Sequence, residues 1–392
     1  MFEERSISTY FDVIIIGGGP SGSSAAIGLA AGGMNVAIVE KKSFPREVLC
    51  GEFLSHEVIG AIREFGLEDE FLSLRPNRIT TFAFFSENGV ETIQPLGFEA
   101  WSVKRSLLDQ MLLRRAESGG AAIVQPAEVT SIHRDQEGYE VGFKTPKGSR
   151  FLSAGTVVAA YGRQSPLDKS LERSFVSHRS GMSGVKYHLP RGIFSEFPNG
   201  SIQLFAAEGI YCGVNRVNEN EATLCFLASS GRLHPREALS ALLQKNRKFR
   251  ALFRADLPSG LPELSPYGAG NIFFGKRNVV ENGIYMVGDA AAVIAPLAGD
   301  GIGMAIESGQ LLARVLITAK RDSLGRRETE ALYTGEWRHR FRKRLAAASY
   351  LQTFAMSSVG GNLGGLLLKT FPRLAEGMIQ WTRGEGDKLR PA

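Results

Sequence analysis

Residues 11–22 (FDVIIIGGGPSG) constrain what this chain can fold into more than any other stretch. A β-branched run ends in glycines, small residues follow at helical spacing (SSAAIGLAAGG), and VAIVE reads as a second strand. Inside this strand, turn, helix, strand pattern, Gly17, Gly19 and Gly22 take the G-x-G-x-x-G spacing. The first glycine permits a tight turn, the second lets backbone approach a pyrophosphate, and the third brings helix close to strand. The helix N-terminus then turns its partial positive charge toward the phosphates. Glu40 ends the second strand 18 residues after Gly22, where a carboxylate accepts hydrogen bonds from adenosine ribose hydroxyls. A chance glycine turn would have to supply strand, spacing, helix and acid together, so a dinucleotide-binding unit is the reading.

The 392 residues suffice for two or three domains at roughly 150 residues each. Apolar runs break at glycines or charges well short of the roughly 20 residues that span a bilayer, so no transmembrane helix is expected. Acidic residues precede the first apolar run and no small-residue cleavage site follows it, which predicts a cytoplasmic protein. Cys50, Cys212 and Cys225 form no C-x-x-C pair and are odd in number, so free thiols are expected, with no metal site and no disulfide framework. The 46 Lys+Arg exceed the 40 Asp+Glu only modestly, but RHRFRKR at Arg338–Arg344 is a concentrated basic run. No nucleic-acid partner is expected. With the amphipathic stretch that follows to Trp381, this run is a candidate for peripheral contact with an anionic membrane; a solvated helix face is the alternative.

Further along, Trp101–Ser118 carries apolar residues at helical spacing, and TVVAAYG reads as a strand ending in glycine. From about 165 to 275 alternating segments (SGVKYHL, SIQLFA, ATLCFLA) are broken by Gly, Pro and Asn, as in an antiparallel sheet. GIYMVGDAA returns to a buried strand, followed by a long helix. The expected architecture is α/β. A discontinuous nucleotide domain (residues 1–80, 100–170 and 276–328) is interrupted by a substrate sheet (81–99 and 171–275) and followed by helices (329–392).

The glycine fingerprint does not choose between NAD and FAD; Gly288-Asp289, the second nucleotide motif, does. With it the chain resembles the superfamily of FAD-dependent monooxygenases and geranylgeranyl reductases, over most of its length. The resemblance implies a Rossmann-type FAD-binding domain with an inserted antiparallel β-sheet. Within GDAAAVIAPLAGDGIGMAIESG it implies that Asp289 binds ribityl hydroxyls. The turn through Pro296, Gly299 and Gly301 would lie beside the isoalloxazine, and backbone N–H groups of Gly301, Ile302, Gly303 and Met304 could stabilise the charge of a reduced flavin. Arg105 is similar to the family arginine that reaches the ribityl or pyrophosphate, and Arg46 offers a bidentate fork to phosphate oxygens. REVLCGEFLS (46–55) resembles the C-G loop that geranylgeranyl reductases place against the flavin. Cys50 would then lie close to the ring, as a proton relay if its pKa is lowered and as an inert buried cysteine otherwise.

Three departures bound the transfer. Tyr161-Gly162 stands where aromatic hydroxylases carry an Asp-Gly associated with nicotinamide handling, and no second G-x-G-x-x-G follows a strand. Electrons are therefore expected from NAD(P)H acting transiently or from an external donor. Of the prenyl reductases' Y-x-W-x-F-P stretch only Tyr211 remains, and none of Trp101, Trp337 or Trp381 lies in a halogenase W-x-W-x-I-P motif. Phenylalanines such as Phe82, Phe84, Phe85, Phe205, Phe226, Phe273 and Phe274 suit a pocket for a lipophilic or aromatic, polyketide-like substrate. By elimination, monooxygenation through a flavin C4a-hydroperoxide is the leading expectation, with Cys50, Pro296 and Gly301 at the reacting centre. The alternatives are reduction of a prenyl or polyketide C=C bond and a flavin electron carrier.

Overall fold

The computed structural model describes residues 10–355 except 179–180, 230–234, 255–265, 271 and 275–276. Strand β1 (Tyr10–Ile16), helix α1 (Pro20–Ala31) and strand β2 (Val36–Val39) form the expected unit. The strands pair in parallel, Val13 beside Val36 and Ile16 beside Val39, and their apolar residues are buried on both faces, as a helix-covered parallel sheet requires.

After a loop across residues 40–52, β3 (Phe53–Leu54), α2 (His56–Glu64) and α3 (Glu68–Ser73) lead to a hairpin of β4 (Asn77–Ser86) and β5 (Glu91–Ser102). The chain returns through α4 (Arg105–Ser118) and β6 (Ala122–Val124), which lies parallel beside β2. β7 (Glu128–Arg134), β8 (Tyr139–Thr145) and β9 (Gly148–Ala159) then form an antiparallel meander whose last strand runs parallel to β1.

Helix α5 (Leu167–Ser170) precedes a second excursion. It comprises β10 (Met182–Pro190), β11 (Ser201–Ala207), β12 (Ile210–Arg216), β13 (Glu221–Ser229), helices α6 (Pro235–Lys245) and α7 (Arg247–Ala251), and β14 (Tyr267–Ala269). β15 (Val280–Glu281) and β16 (Ile284–Met286) rejoin the first sheet, with β16 parallel to β9, and α8 (Gly301–Arg321) and α9 (Arg326–Ala355) follow.

The second sheet has the order β14-β10-β13-β12-β11-β4-β5-β3. Its pairs are antiparallel except β11 with β4, where two separate excursions meet running the same way. It takes in Phe53–Leu54 and the whole of β4 and β5, and so reaches beyond the expected limits. Alternation sorts its faces. Val185, Tyr187 and Leu189 pack with Phe205, Phe226 and Phe249 in one core, whereas Gly184, Lys186 and His188 face the loop that follows β2: a Cβ on Gly184 would meet Leu49 at 3.0 Å. By length and composition α8 could cross a membrane, but it is mostly buried, packed on α1 and α9.

Candidate functional site

The turn after β1 is built as the fingerprint requires. Gly17 has φ 108°, a region that favours glycine, and a Cβ there would meet the Ala160 carbonyl oxygen at 2.5 Å. Gly18 N–H donates to Glu40 Oε2 at 2.8 Å and Lys42 N–H to Oε1 at 2.9 Å, so the acid closing β2 is fixed against the turn. Arg46 reaches over this turn. Its guanidinium lies 3.4 Å from where a Gly19 Cβ would be, 3.4 Å from Glu40 and 3.5 Å from Asp109, and its buried Nε makes no hydrogen bond. Arg105 grips the same Asp109 in bidentate fashion, at 2.7 and 2.9 Å.

Gly288-Asp289 follows β16 as a short 3-10 turn beside the start of α1, where Gly288 N–H donates to Ser308 Oγ at 2.8 Å. Desolvation by the surrounding protein raises the Asp289 carboxyl above its ordinary value, while the guanidiniums of Arg163, Arg277 and Arg105 act to lower it. The turn Pro296–Ala298 ends at Gly299 with φ 64°, and α8 begins at Gly301. Pro296 and Gly301 are exposed, and Ile302, Gly303 and Met304 are buried. Arg340 and Arg344 of α9 pair with Glu307, and Arg344 also with Asp300 at the head of α8. The basic run from Arg338 to Arg344 is therefore not one solvent face: Phe341 is fully buried and two of its arginines brace the start of α8. The amphipathic stretch to Trp381 lies outside the described residues.

The loop between these motifs carries Cys50 and Glu52. Cys50 is half-buried, and its sulfur accepts from Glu52 N–H at 3.3 Å. Glu52 is fully buried in the left-handed region, at φ 58°. One carboxylate oxygen accepts from Arg105 N–H at 2.9 Å and from Lys186 Nζ at 3.0 Å; the other meets His188 Nε2 at 2.7 Å and accepts from Thr223 Oγ1. Lys186, itself fully buried, also donates to Glu47 at 2.7 Å. Glu47, Glu52 and His188 place ligand-type atoms within 4.8 Å of one another, and the Lys186 ammonium bonds the two carboxylates. This network joins the loop after β2 to β10 and β13. Sequence reasoning passed over it, although Lys186 and His188 stand at strand period in an otherwise apolar segment and so had to share one face.

A family model for an FAD-binding domain matches residues 10–198. The chain is 26% identical to menaquinone reductase of Mycobacterium tuberculosis, over 79% of this chain and 78% of that protein. It is 25% identical to digeranylgeranylglycerophospholipid reductase of Methanocaldococcus jannaschii, over 94% and 95%. These likenesses point the same way as the motifs, to the FAD-dependent monooxygenase and geranylgeranyl reductase-like flavoproteins, which the chain resembles over most of its length. Its fold matches the flavin-dependent brominase Bmp2 with a TM-score of 0.76 at 18% identity, covering 95% of this chain and 93% of that one.

An apolar surface lies between the sheets. Phe84, Leu204, Tyr211 and Leu227 of the second sheet meet Val293 and Ile272, with Leu49, Phe82 and Phe274 partly buried around them. Not all the phenylalanines expected in a pocket reach it: Phe85, Phe205 and Phe226 point to the opposite core because adjacent strand residues alternate. Phe273 instead stacks on Phe175, 5.8 Å between centroids. Burial raises the Tyr211 hydroxyl, and it pushes Cys225, on the same face, up to about 12. Tyr161, where a hydroxylase carries aspartate, donates to Asp168 at 2.7 Å and accepts from Arg173 at 3.1 Å, while Arg173 also donates to the Ala290 carbonyl at 2.9 Å. It is a strut behind the Gly288 turn.

Proposed function

We propose that this protein reduces a carbon–carbon double bond of a lipophilic, prenyl or polyketide-like substrate, using FAD held between its two sheets. The residues fit the cofactor. The glycine turn offers backbone N–H groups, Arg46 has a buried Nε without a partner, and Glu40 is fixed by two backbone donors, so these would hold pyrophosphate and adenosine ribose. Asp289 and the α8 start from Gly301 to Met304 would hold the ribityl chain and the flavin's polar edge. Reduced FAD supplies a hydride when bound.

The observation that carries the reading is the setting of Cys50. Its sulfur accepts from the Glu52 amide in a loop whose Glu52 carboxylate holds the Arg105 N–H and Lys186, and its neighbour Leu49 packs against Phe84 and Tyr211 of the sheet face. A thiol there can give its proton to the alkene carbon that does not receive the hydride. The apolar surface excludes water and orients the chain of the substrate. Two relatives named as reductases support the same direction. Oxygen transfer, the expectation from sequence, is the second reading and rests on the turn from Pro296 to Gly303. The Tyr161 strut supports an electron donor other than a resident nicotinamide domain.

Incubation of dithionite-reduced holoenzyme with a prenylated quinone or a digeranylgeranyl lipid under strict anaerobiosis should yield the saturated product. The Cys50→Ala variant should turn over about a hundredfold more slowly, with FAD content unchanged. Product formed only with O2 and labelled from ¹⁸O2 would overturn the reductase reading in favour of the monooxygenase.

A further inference from the structure

A second concave site lies at the end of β16 remote from Gly288. Ligands of parallel α/β sheets bind at the carboxyl ends of the strands, and this cavity, of about 890 Å³, opens at the amino end, between the β15–β16 turn, the end of β7 and the first turns of α9. Arg134, Arg326, Arg327 and Arg338 line it, and its one acid, Glu330, is already held by Arg326 at 2.6 Å. Arg134, Arg327 and Arg338 are exposed and make no ion pair among the described residues. Thr334 and Asn282 add neutral donors. At its floor Gly283 has φ 77°, and a Cβ there would collide with Arg326 Nη2 at 1.5 Å and the Tyr139 hydroxyl at 2.7 Å. That hydroxyl belongs to a residue only 6% exposed and has no hydrogen-bond partner.

Guanidiniums brought together from two elements repel one another, and the repulsion is relieved by an anion that they can share. Their planar forks match phosphate oxygens in bidentate geometry. We propose that this pocket binds a phosphate-bearing ligand, as phosphate or pyrophosphate of a soluble molecule or of an anionic lipid headgroup. Its four arginines, Thr334 and Asn282 supply side-chain donors, and the arginines outnumber its one acid and leave it net positive. It uses no residue of the FAD site, so both can be filled at once.

FAD-loaded protein titrated calorimetrically with inorganic pyrophosphate, and in parallel sedimented with phosphatidylglycerol vesicles at low salt, tests this. Wild type should bind at least one probe, and the double variant R327S/R338S should bind it at least tenfold more weakly. R342S, an exposed arginine of the same helix outside the pocket, should bind as wild type. Pyrophosphate binding without vesicle binding assigns a soluble ligand; vesicle binding assigns a headgroup. Failure of wild type to bind either probe overturns the proposal, as does undiminished binding by R327S/R338S or an equal loss in R342S.

Discussion

Replacing Glu52 by alanine should destabilise the protein by about 3–5 kcal/mol, the cost of leaving a buried charge without its partner. Lys186 would lose the fully enclosed one of its two carboxylate contacts, and His188, Thr223 and the Arg105 amide would lose their acceptor. Chemical denaturation reads the loss, and Lys186→Met added to Glu52→Ala should recover most of it by removing the stranded ammonium. A destabilisation under about 1 kcal/mol would mean the network is solvated and incidental. The same carboxylate gives a pH signature. Burial acts to raise its pKa, but the His188 hydrogen bond and the Lys186 and His188 charges overcome that and lower it from 4.5 to about 2. A lowered value means the stabilisation is complete above 4.5 and is lost as pH falls from there toward 2. Glu52→Gln should therefore flatten the decline in stability across that window relative to wild type.

The second large effect is expected at Gly22. An alanine Cβ would sit 1.9 Å from the Gly17 carbonyl oxygen and 3.1 Å from the Ala160 Cβ, and the first of these is backbone that no rotamer change can clear. Helix α1 would have to slide away from the turn, at about 1–3 kcal/mol, and its N-terminus would leave the proposed pyrophosphate position. Gly22→Ala should purify with little or no FAD, whereas Gly51→Ala, whose Cβ has nothing within 4 Å, should purify yellow. Chromatographic quantitation of released FAD decides it; near-stoichiometric FAD in Gly22→Ala would remove the turn from the cofactor site.

Both effects fall on residues that the sequence exposed unequally. Gly22 was legible because a local spacing, a strand and a helix all declare it within a dozen residues. Glu52 was not, since its partners Lys186, His188 and Thr223 are remote in the chain and meet it only when β10 and β13 lie across the loop. β7 escaped for a different reason: EVTSIHR is partly exposed and a register shift between Val129 and Ser131 breaks its alternation, whereas YEVGFKT alternates Tyr139, Val141 and Phe143 with polar or small residues and carried a signal that went unread. Helix α8 and the β1-α1-β2 unit were legible because extensive burial imposes a dense apolar pattern. The basic run at Arg338–Arg344 misled in part, because charge counted along the chain does not say which arginines turn inward to Glu307 and Asp300.

The position of β16 beside β9 sets an order of events during synthesis. The two segments proposed to hold the cofactor, the glycine turn and Gly288-Asp289, leave the ribosome far apart in time, roughly 15–50 s at roughly 5–20 residues per second. Throughout that interval β9 has β1 on one side, while on the other β8 covers only Gly148–Ala154, so Val158 and Ala159, which β16 later pairs, present an unpaired apolar edge to other nascent chains. Cofactor loading can only follow, and the bound dinucleotide would then fasten the early and late portions of the polypeptide to each other.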